Sequence, residues 1–397
     1  MPPDPILGID FGTSCTSAGV LVGDRVELVQ DNGDVVIPSV VYVPARGPLE
    51  VGRRAQMRML NDPTGVIRSI KRVLGAAPSS PLVRNFAASA PFRVDTAGEH
   101  VVFKVRQAQY APEQITGAIL TRVRELAETR FGGRITKAVI TSSVAAPPGY
   151  RDALIRSARI AHLDVLEIVP EPIAGALAIG LHAQVADRKL LVCDFGGGTL
   201  DVSALHQSGL RFTPVATSGD QYLGGDDLDT EIAEALAGLI VKRTGYDVHK
   251  DAVRWSEMLF RCEMAKRQLT VEAAVPFAMR EAYVEHGVPR NLDFVLERPW
   301  VETRWAALFA RAVVAIEDAL ARAGWRRREV DQIALIGGSA LVPLFQRTVA
   351  SVFPGQPVVL APRADVSVAL GAVLLTARFG AAPRAVPVLE RPSPRTT

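Results

Sequence analysis

An apolar run that ends in Asp-Phe-Gly occurs twice, about half a chain apart: Leu7-Gly8-Ile9-Asp10-Phe11-Gly12-Thr13 and Leu191-Val192-Cys193-Asp194-Phe195-Gly196-Gly197. Each run reads as a buried strand. The Gly- and hydroxyl-rich turn after it reads as a hairpin whose bare backbone lets a ligand approach closely. A third Gly turn ends the run Ile333-Ala334-Leu335-Ile336-Gly337-Gly338-Ser339. Two phosphate-type hairpins and a later Gly-Gly turn predict one nucleotide held between two related halves.

The 397 residues, 48% hydrophobic, suffice for a large core and for two or three domains. No stretch of about 18 uninterrupted apolar residues occurs, so no membrane partner is expected. The opening Met1-Pro2-Pro3-Asp4-Pro5 lacks the basic and apolar regions of a signal peptide. Cys15, Cys193 and Cys262 show no metal-ligand spacing and read as reduced thiols of a cytoplasmic protein. A net charge of +3 makes no case for nucleic acid, and Arg326-Arg327-Arg328 reads as solvated surface.

The first half opens with strands over Ile6–Asp10, Ala18–Val22, Arg25–Val29 and Ser39–Val43, with Gly23-Asp24 as a hairpin turn. Pro112–Arg130 reads as a helix with Pro at its start. Strand Ala138–Thr141, helix Tyr150–Ala161 and strand Val165–Val169 follow, then a helix after Glu171-Pro172. The second half opens with strand Leu190–Asp194. Asp226, Asp227 and Asp229 stand at the start of a helix running to about Arg243, where negative charge complements the dipole. Helices follow over about Asp251–Leu269 and Trp300–Ala323. In the latter, Trp305, Leu308, Phe309, Val313, Ile316 and Leu320 share a core-facing stripe. The last helix, about Val366–Phe379, carries Ala369, Gly371 and Ala372, and the segment Ile173–Gly180 is equally rich in small residues. Small side chains let two helices cross closely. Beyond Gly380 the chain is Pro- and Arg-rich and reads as disordered.

Six segments in order carry a resemblance: Asp10-Phe11-Gly12-Thr13; Glu171-Pro172; Asp194-Phe195-Gly196-Gly197-Gly198-Thr199-Leu200-Asp201-Val202-Ser203; Leu223-Gly224-Gly225-Asp226; Glu263-Met264-Ala265-Lys266-Arg267-Gln268-Leu269-Thr270; and Leu335-Ile336-Gly337-Gly338-Ser339. Together they resemble the ATPase (nucleotide-binding) domain of the 70-kDa heat-shock chaperones, DnaK-like proteins of the actin-like ATPase superfamily. The resemblance covers residues 6 to about 380. It implies an α/β, two-lobed actin-like fold: duplicated ribonuclease-H-like domains, four subdomains around a nucleotide cleft. Residues 1–188 with the returning helix 365–380 would form lobe I, residues 189–364 lobe II, and 381–397 a tail or linker remnant.

Phosphoryl transfer to water asks for positioning and charge stabilisation. Gly12, Gly196, Gly197 and Gly198 suit phosphate binding because their N–H groups are unobstructed, with Thr13, Ser14 and Thr199 adding hydroxyls. Asp10, Glu171, Asp194 and Asp201 would repel a triphosphate without a cation, and hydrated magnesium takes carboxylates through its waters. The resemblance gives Asp10, Glu171 and Asp194 to the metal and its waters, and Asp194 and Asp201 to the attacking water. It also implies potassium beside the phosphates. It places Lys71, in Ile70-Lys71-Arg72-Val73-Leu74-Gly75, on the γ-phosphate. It further implies Glu263, Lys266, Arg267 and Thr270 on the adenosine, Gly337, Gly338 and Ser339 on the opposite wall, Asp365 near the base, and Gly224 and Gly225 in the nucleotide site. Cys15 reads as a small filler in the first loop.

Three departures stand out. Leu341 occupies the position of an Arg that stacks on adenine, which removes a cation–π interaction of ~0.5–2 kcal/mol. Ser143 stands where the family has a Pro implicated in interlobe switching, although Arg151, its usual relay partner, is retained. The chain ends soon after the matched region, with Val386-Pro387-Val388-Leu389 similar to the apolar interdomain linker. A peptide-binding domain is therefore expected to be separate or deleted, in a naturally short member or a piece of a longer protein. The expected function is slow Mg-dependent hydrolysis of ATP to ADP and phosphate, with a co-chaperone or nucleotide-exchange factor as partner. A nucleotide-binding sensor with negligible hydrolysis and an actin-like filament protein are the alternatives.

Overall fold

Each repeated Asp-Phe-Gly segment forms the central strand of its own sheet in the computed structural model, which describes residues 5–96, 98–179, 187–209 and 211–380. The first sheet runs, edge to edge, Asp164–Pro170, Lys137–Ser142, Ile6–Phe11, Cys15–Val22 and Arg25–Leu28, with Ile37–Pro38 also paired to Cys15–Val22. The second runs Val358–Leu360, Gln332–Ile336, Arg188–Phe195, Leu200–Ser208 and Arg211–Asp220. In both sheets the first two joins are parallel and the last two antiparallel. The apolar runs are continuous because these central strands are covered on both faces: Leu7, Ile9 and Phe11 are fully buried, as are Leu191, Cys193 and Phe195.

A hydrophobic core lies between the two sheets. It joins Val139 and Val169 of the first to Val192 and Ile336 of the second through the helices Glu171–Ala178 and Ser367–Leu375. The small residues read from the sequence are what lets these helices meet: a Cβ on Gly371 would fall on the carbonyl oxygen of Ala174. The same helix lies over the first sheet, where a Cβ on Gly8 would come 2.5 Å from the backbone of Val373. The last helix is shorter than expected, giving way to a 3-10 turn over Thr376–Phe379.

The second sheet is backed by the helix Arg298–Ala323, which buries Trp305, Phe309, Ile316 and Leu320, with Val313 partly buried against the same core. Burial of each such side chain stabilises by roughly 1.5–3 kcal/mol, and Trp305 donates its indole N–H to Leu228 O at 2.9 Å. One expected strand is corrected. Ser39–Val43 is broken into Ile37–Pro38 and Val41–Tyr42, which join different sheets. Ser39 between them bonds the first Gly turn, its N–H to Ser14 O and its hydroxyl to Gly12 O, both at 2.9 Å. The antiparallel hairpin Ala274–Glu285 with Val288–Glu297 was not foreseen. Among the described residues no helix is long and apolar enough to cross a membrane. The tail 381–397, Gly180 and the first four residues lie outside the described residues.

Candidate functional site

Both Gly hairpins, the third Gly turn and the helix Ala252–Leu269 open onto one cleft of about 350 Å³. Asp10 and Asp194, each the penultimate residue of its central strand, reach its floor. Glu171 starts the helix Glu171–Ala178 and is 6% exposed, and Lys71 comes in on the short 3-10 turn Ile70–Arg72. The Lys71 ammonium donates to Glu171 Oε1 at 2.6 Å. Asp201, opposite Asp194 in the sheet register, accepts from the Thr199 hydroxyl at 3.2 Å and from the Ser143 hydroxyl at 3.3 Å. Asp10 accepts from Thr141 Oγ1 at 2.9 Å.

Four carboxylates here share a single ammonium. Burial, and then the charge of Glu171, push Asp10 and Asp201 up to about 6. Burial, Glu171, Asp10 and Asp201 raise Asp194 well above the carboxylate range. Burial opposes the charge of Lys71, yet Glu171, Tyr150 and Asp10 hold its pKa above the lysine value. Such a set of crowded oxygen donors suits a hard cation that keeps its waters. Among the described residues no three His, Cys, Asp or Glu side chains converge closely enough to ligate an ion directly.

The turn glycines are dictated by approach. A Cβ on Gly197 would collide with Ser14 Oγ, and one on Gly198 would come 2.6 Å from Thr13 Cγ2. The two phosphate-type loops therefore pack directly against each other. Gly12, Gly196 and Thr13 line the cleft beside them. Gly224 does not reach the cleft; it backs the second loop, where a Cβ would meet Gly197 O at 2.5 Å. Gly225 does line it, where the helix Gly225–Thr244 begins. Ser14 itself donates to Asp226 Oδ1 at 3.1 Å, and Arg72 donates to Gly198 O at 2.8 Å. Both contacts join the first half of the chain to the second.

The three acids expected to serve the helix dipole divide their work. Asp227 accepts from Gly224 N at 2.8 Å as a cap, Asp226 takes Ser14, and Asp229 pairs with Lys266 at 2.7 Å. Lys266 is thereby turned inward, 8% exposed, and also donates to Gly225 O at 2.7 Å. Glu263 instead pairs with Arg267 at 2.9 Å. Glu263, Lys266, Arg267 and Thr270 form one wall of the cleft. Gly337, Gly338, Ser339 and Asp365 form the other, together with Leu341 and Val342. Gly337 sits at φ 86° and donates its N–H to Ala364 O at 2.9 Å. Ser339 donates to Gly196 O at 2.7 Å and ties that wall to the second loop. Burial pushes the Cys15 thiol up to about 12, which fits a packing residue.

Sequence reasoning missed Ser143 and Thr141 as partners of the acids, and Asp229 as the partner of Lys266. Thr141 lies one residue before the end of the strand next to Asp10, a placement readable from the parallel pairing alone. Ser143–Asp201 and Asp229–Lys266 join distant segments, and nothing local signals them. Arg151, which the resemblance gives as a relay residue, is exposed on its helix.

A family model described as Hsp70 protein matches residues 6–383. That span takes in every element bordering the cleft, and the chain belongs to the Hsp70 family, as a nucleotide-binding module of that kind.

Proposed function

We propose that this module hydrolyses ATP to ADP and phosphate, slowly and with magnesium, in the cleft between two lobes. Lobe I would comprise residues 1–188 and the helix within 365–380, lobe II residues 189–364, each with its own sheet and an outer subdomain. The observation that carries the reading is the Lys71–Glu171 pair at 2.6 Å among Asp10, Asp194 and Asp201, where the two Gly hairpins meet.

The loop N–H groups from Gly12 to Ser14 and from Gly197 to Thr199 cradle phosphates without side-chain obstruction, while Gly196 spends its N–H on Thr199 O at 3.0 Å to close the turn. Asp10, Glu171, Asp194 and Asp201 would hold hydrated magnesium, whose chemistry is to neutralise charge on the phosphate oxygens; potassium would sit beside the phosphates. Asp194 and Asp201 orient the attacking water, with Asp201 fixed by Thr199 and Ser143. Lys71 supplies positive charge where the γ-phosphate oxygens carry negative charge, which is a positioned electrostatic contribution. Glu263, Lys266, Arg267 and Thr270 face the adenosine from one side, and Gly337, Gly338, Ser339, Leu341 and Asp365 from the other. Lobe closure over the nucleotide would be the output passed to a co-chaperone or exchange factor and to a peptide-binding partner.

Single-turnover hydrolysis of labelled Mg-ATP tests the reading, with wild type beside Lys71→Ala and Asp201→Ala. Slow hydrolysis lost in both variants is the expected result. Tight binding by wild type without hydrolysis would replace it with a nucleotide-sensing role.

A further inference from the structure

The turn from Gly196 to Thr199 is gripped by its carbonyls. Gly196 O accepts from Gly225 N at 3.1 Å and from the Ser339 hydroxyl at 2.7 Å, and Gly197 O accepts from Asp226 N at 2.7 Å. Gly198 O accepts from Arg72 Nη2 at 2.8 Å. The donors to Gly196 and Gly197 belong to the same half of the chain as the turn. Arg72 crosses over from the 3-10 turn Ile70–Arg72, whose Lys71 bonds Glu171 in the cleft.

A planar trans peptide sets its C=O and the following N–H on opposite sides. Holding Gly198 O from one side therefore turns the Thr199 N–H to the other. Among the described residues the N–H groups of Gly197, Gly198 and Thr199 have no protein partner, and all three residues line the cleft. Arg72 does not line it. It lies behind the turn, in a separate pocket with Asn85, Tyr222 and Asp227. There its guanidinium rests against the loop: a Cβ on Gly198 would come 3.0 Å from Nη2. Its Cζ stands 5.7 Å from the centre of the Tyr222 ring, and Asp227 Oδ2 lies 3.9 Å from Nη2. The Tyr222 hydroxyl in turn accepts from Asn85 Nδ2 at 2.7 Å.

We propose that Arg72 is a positioning residue for the second Gly loop: by holding Gly198 O from behind, it keeps the Thr199 N–H turned into the cleft, where a phosphate oxygen would accept from it. One donor of the cradle is thus set by the half of the chain that carries Lys71. The inference rests on the reading of this cleft as a nucleotide site and adds a residue to it. Without Arg72, the glycine leaves the Gly198–Thr199 peptide free to rotate.

The test measures ATP and adenosine affinities by calorimetry for wild type, Arg72→Met and Arg72→Lys, at low and high ionic strength. Arg72→Met keeps an apolar stem and removes the donor. It should weaken ATP ~10-fold, the loss expected for one hydrogen bond to a charged group, leave adenosine unchanged, and keep that loss at high ionic strength. Arg72→Lys retains a donor for Gly198 O, and the Nε–H it gives up is buried without a partner; most of the affinity should return. An equal loss for adenosine would show a merely structural role. A loss that vanishes at high ionic strength would show that Arg72 acts through its charge alone. Undiminished ATP affinity in Arg72→Met would show that the loop does not need it. Each of these overturns the proposal. If Arg72→Met does not fold, amide exchange in wild type decides: the Thr199 N–H should exchange freely in the empty protein and slow with Mg-ATP, and protection without nucleotide overturns the proposal. Wild type that binds ATP no more tightly than adenosine removes the phosphate reading and the Arg72 role with it. Wild type that binds ATP without hydrolysing it removes only the ATPase reading, and the affinities still decide on Arg72.

Discussion

Gly371 passes Ala174 so closely that the space for a side chain is taken by the Ala174 carbonyl oxygen. The helices that cross there, Ser367–Leu375 and Glu171–Ala178, border the core between the sheets, and the second of them starts with Glu171. Gly371→Ala should therefore destabilise by at least ~3 kcal/mol, since backbone relaxes less readily than a side chain. Gly238, within the helix Gly225–Thr244, has open space where its Cβ would stand, and Gly238→Ala should stabilise by ~0.5–1 kcal/mol. Urea unfolding of both variants checks the pair. Equal effects would mean that the crossing is not the constraint.

Lys71→Ala removes the ammonium set among the carboxylates of Asp10, Glu171, Asp194 and Asp201. ATP binding should persist through the loop N–H groups while single-turnover hydrolysis falls at least ~100-fold, as for loss of a positioned transition-state contact. An unchanged rate would refute the role.

Burial, and then the charge of Glu171, raise the Asp201 carboxyl to about 6 in the folded chain, from an ordinary 3.8. The folded state then holds the proton more tightly than the unfolded one, so this group's contribution to stability falls as pH rises from about 4 through 6. At pH 7 in the nucleotide-free protein the ionised group costs ~2–3 kcal/mol. Asp201→Asn should raise the nucleotide-free Tm at pH 7, with a smaller gain at pH 5, while abolishing turnover. A gain that grows toward low pH would contradict the assignment.

Leu341 lines the cleft where the resemblance places a stacking Arg. Leu341→Arg should tighten adenine nucleotides by ~0.5–2 kcal/mol through a cation–π contact, measured by calorimetry with GTP as a control. No change would mean that Arg267, on the opposite wall, already covers the base.

Much of this site was legible because it is built on local signals. An apolar run, an Asp and a Gly turn occupy adjacent positions, and they predicted the two central strands and their loops. The helix Arg298–Ala323 was equally plain from its stripe. The hairpin beginning at Ala274 was overlooked although Val275, Phe277 and Met279 alternate buried with exposed neighbours, the period-two signal of a half-buried strand. Lys266 shows the deeper limit. The resemblance sets it on the adenosine, but nothing in the sequence shows that the structure also pairs it with Asp229 on another helix, since pairing between helices is set by packing rather than by sequence interval. The same holds for Ser143, whose partner Asp201 lies on a strand of the other sheet.

The two sheets repeat one strand order, yet what flanks the aspartate differs between copies. Across the antiparallel join, Asp10 faces Ser17 and Asp194 faces Asp201. On the parallel side Asp10 has the hydroxyl of Thr141, while Asp194 has Ile336. One copy surrounds its acid with hydroxyls; the other sets acid against acid beside a hydrocarbon. A duplicated framework thus produces two chemically unlike poles from a change of two flanking positions: both carboxyls hold a proton more tightly than a free Asp, but on one side of the cleft a hydroxyl donates to the acid and opposes that shift, and on the other a second acid adds to it.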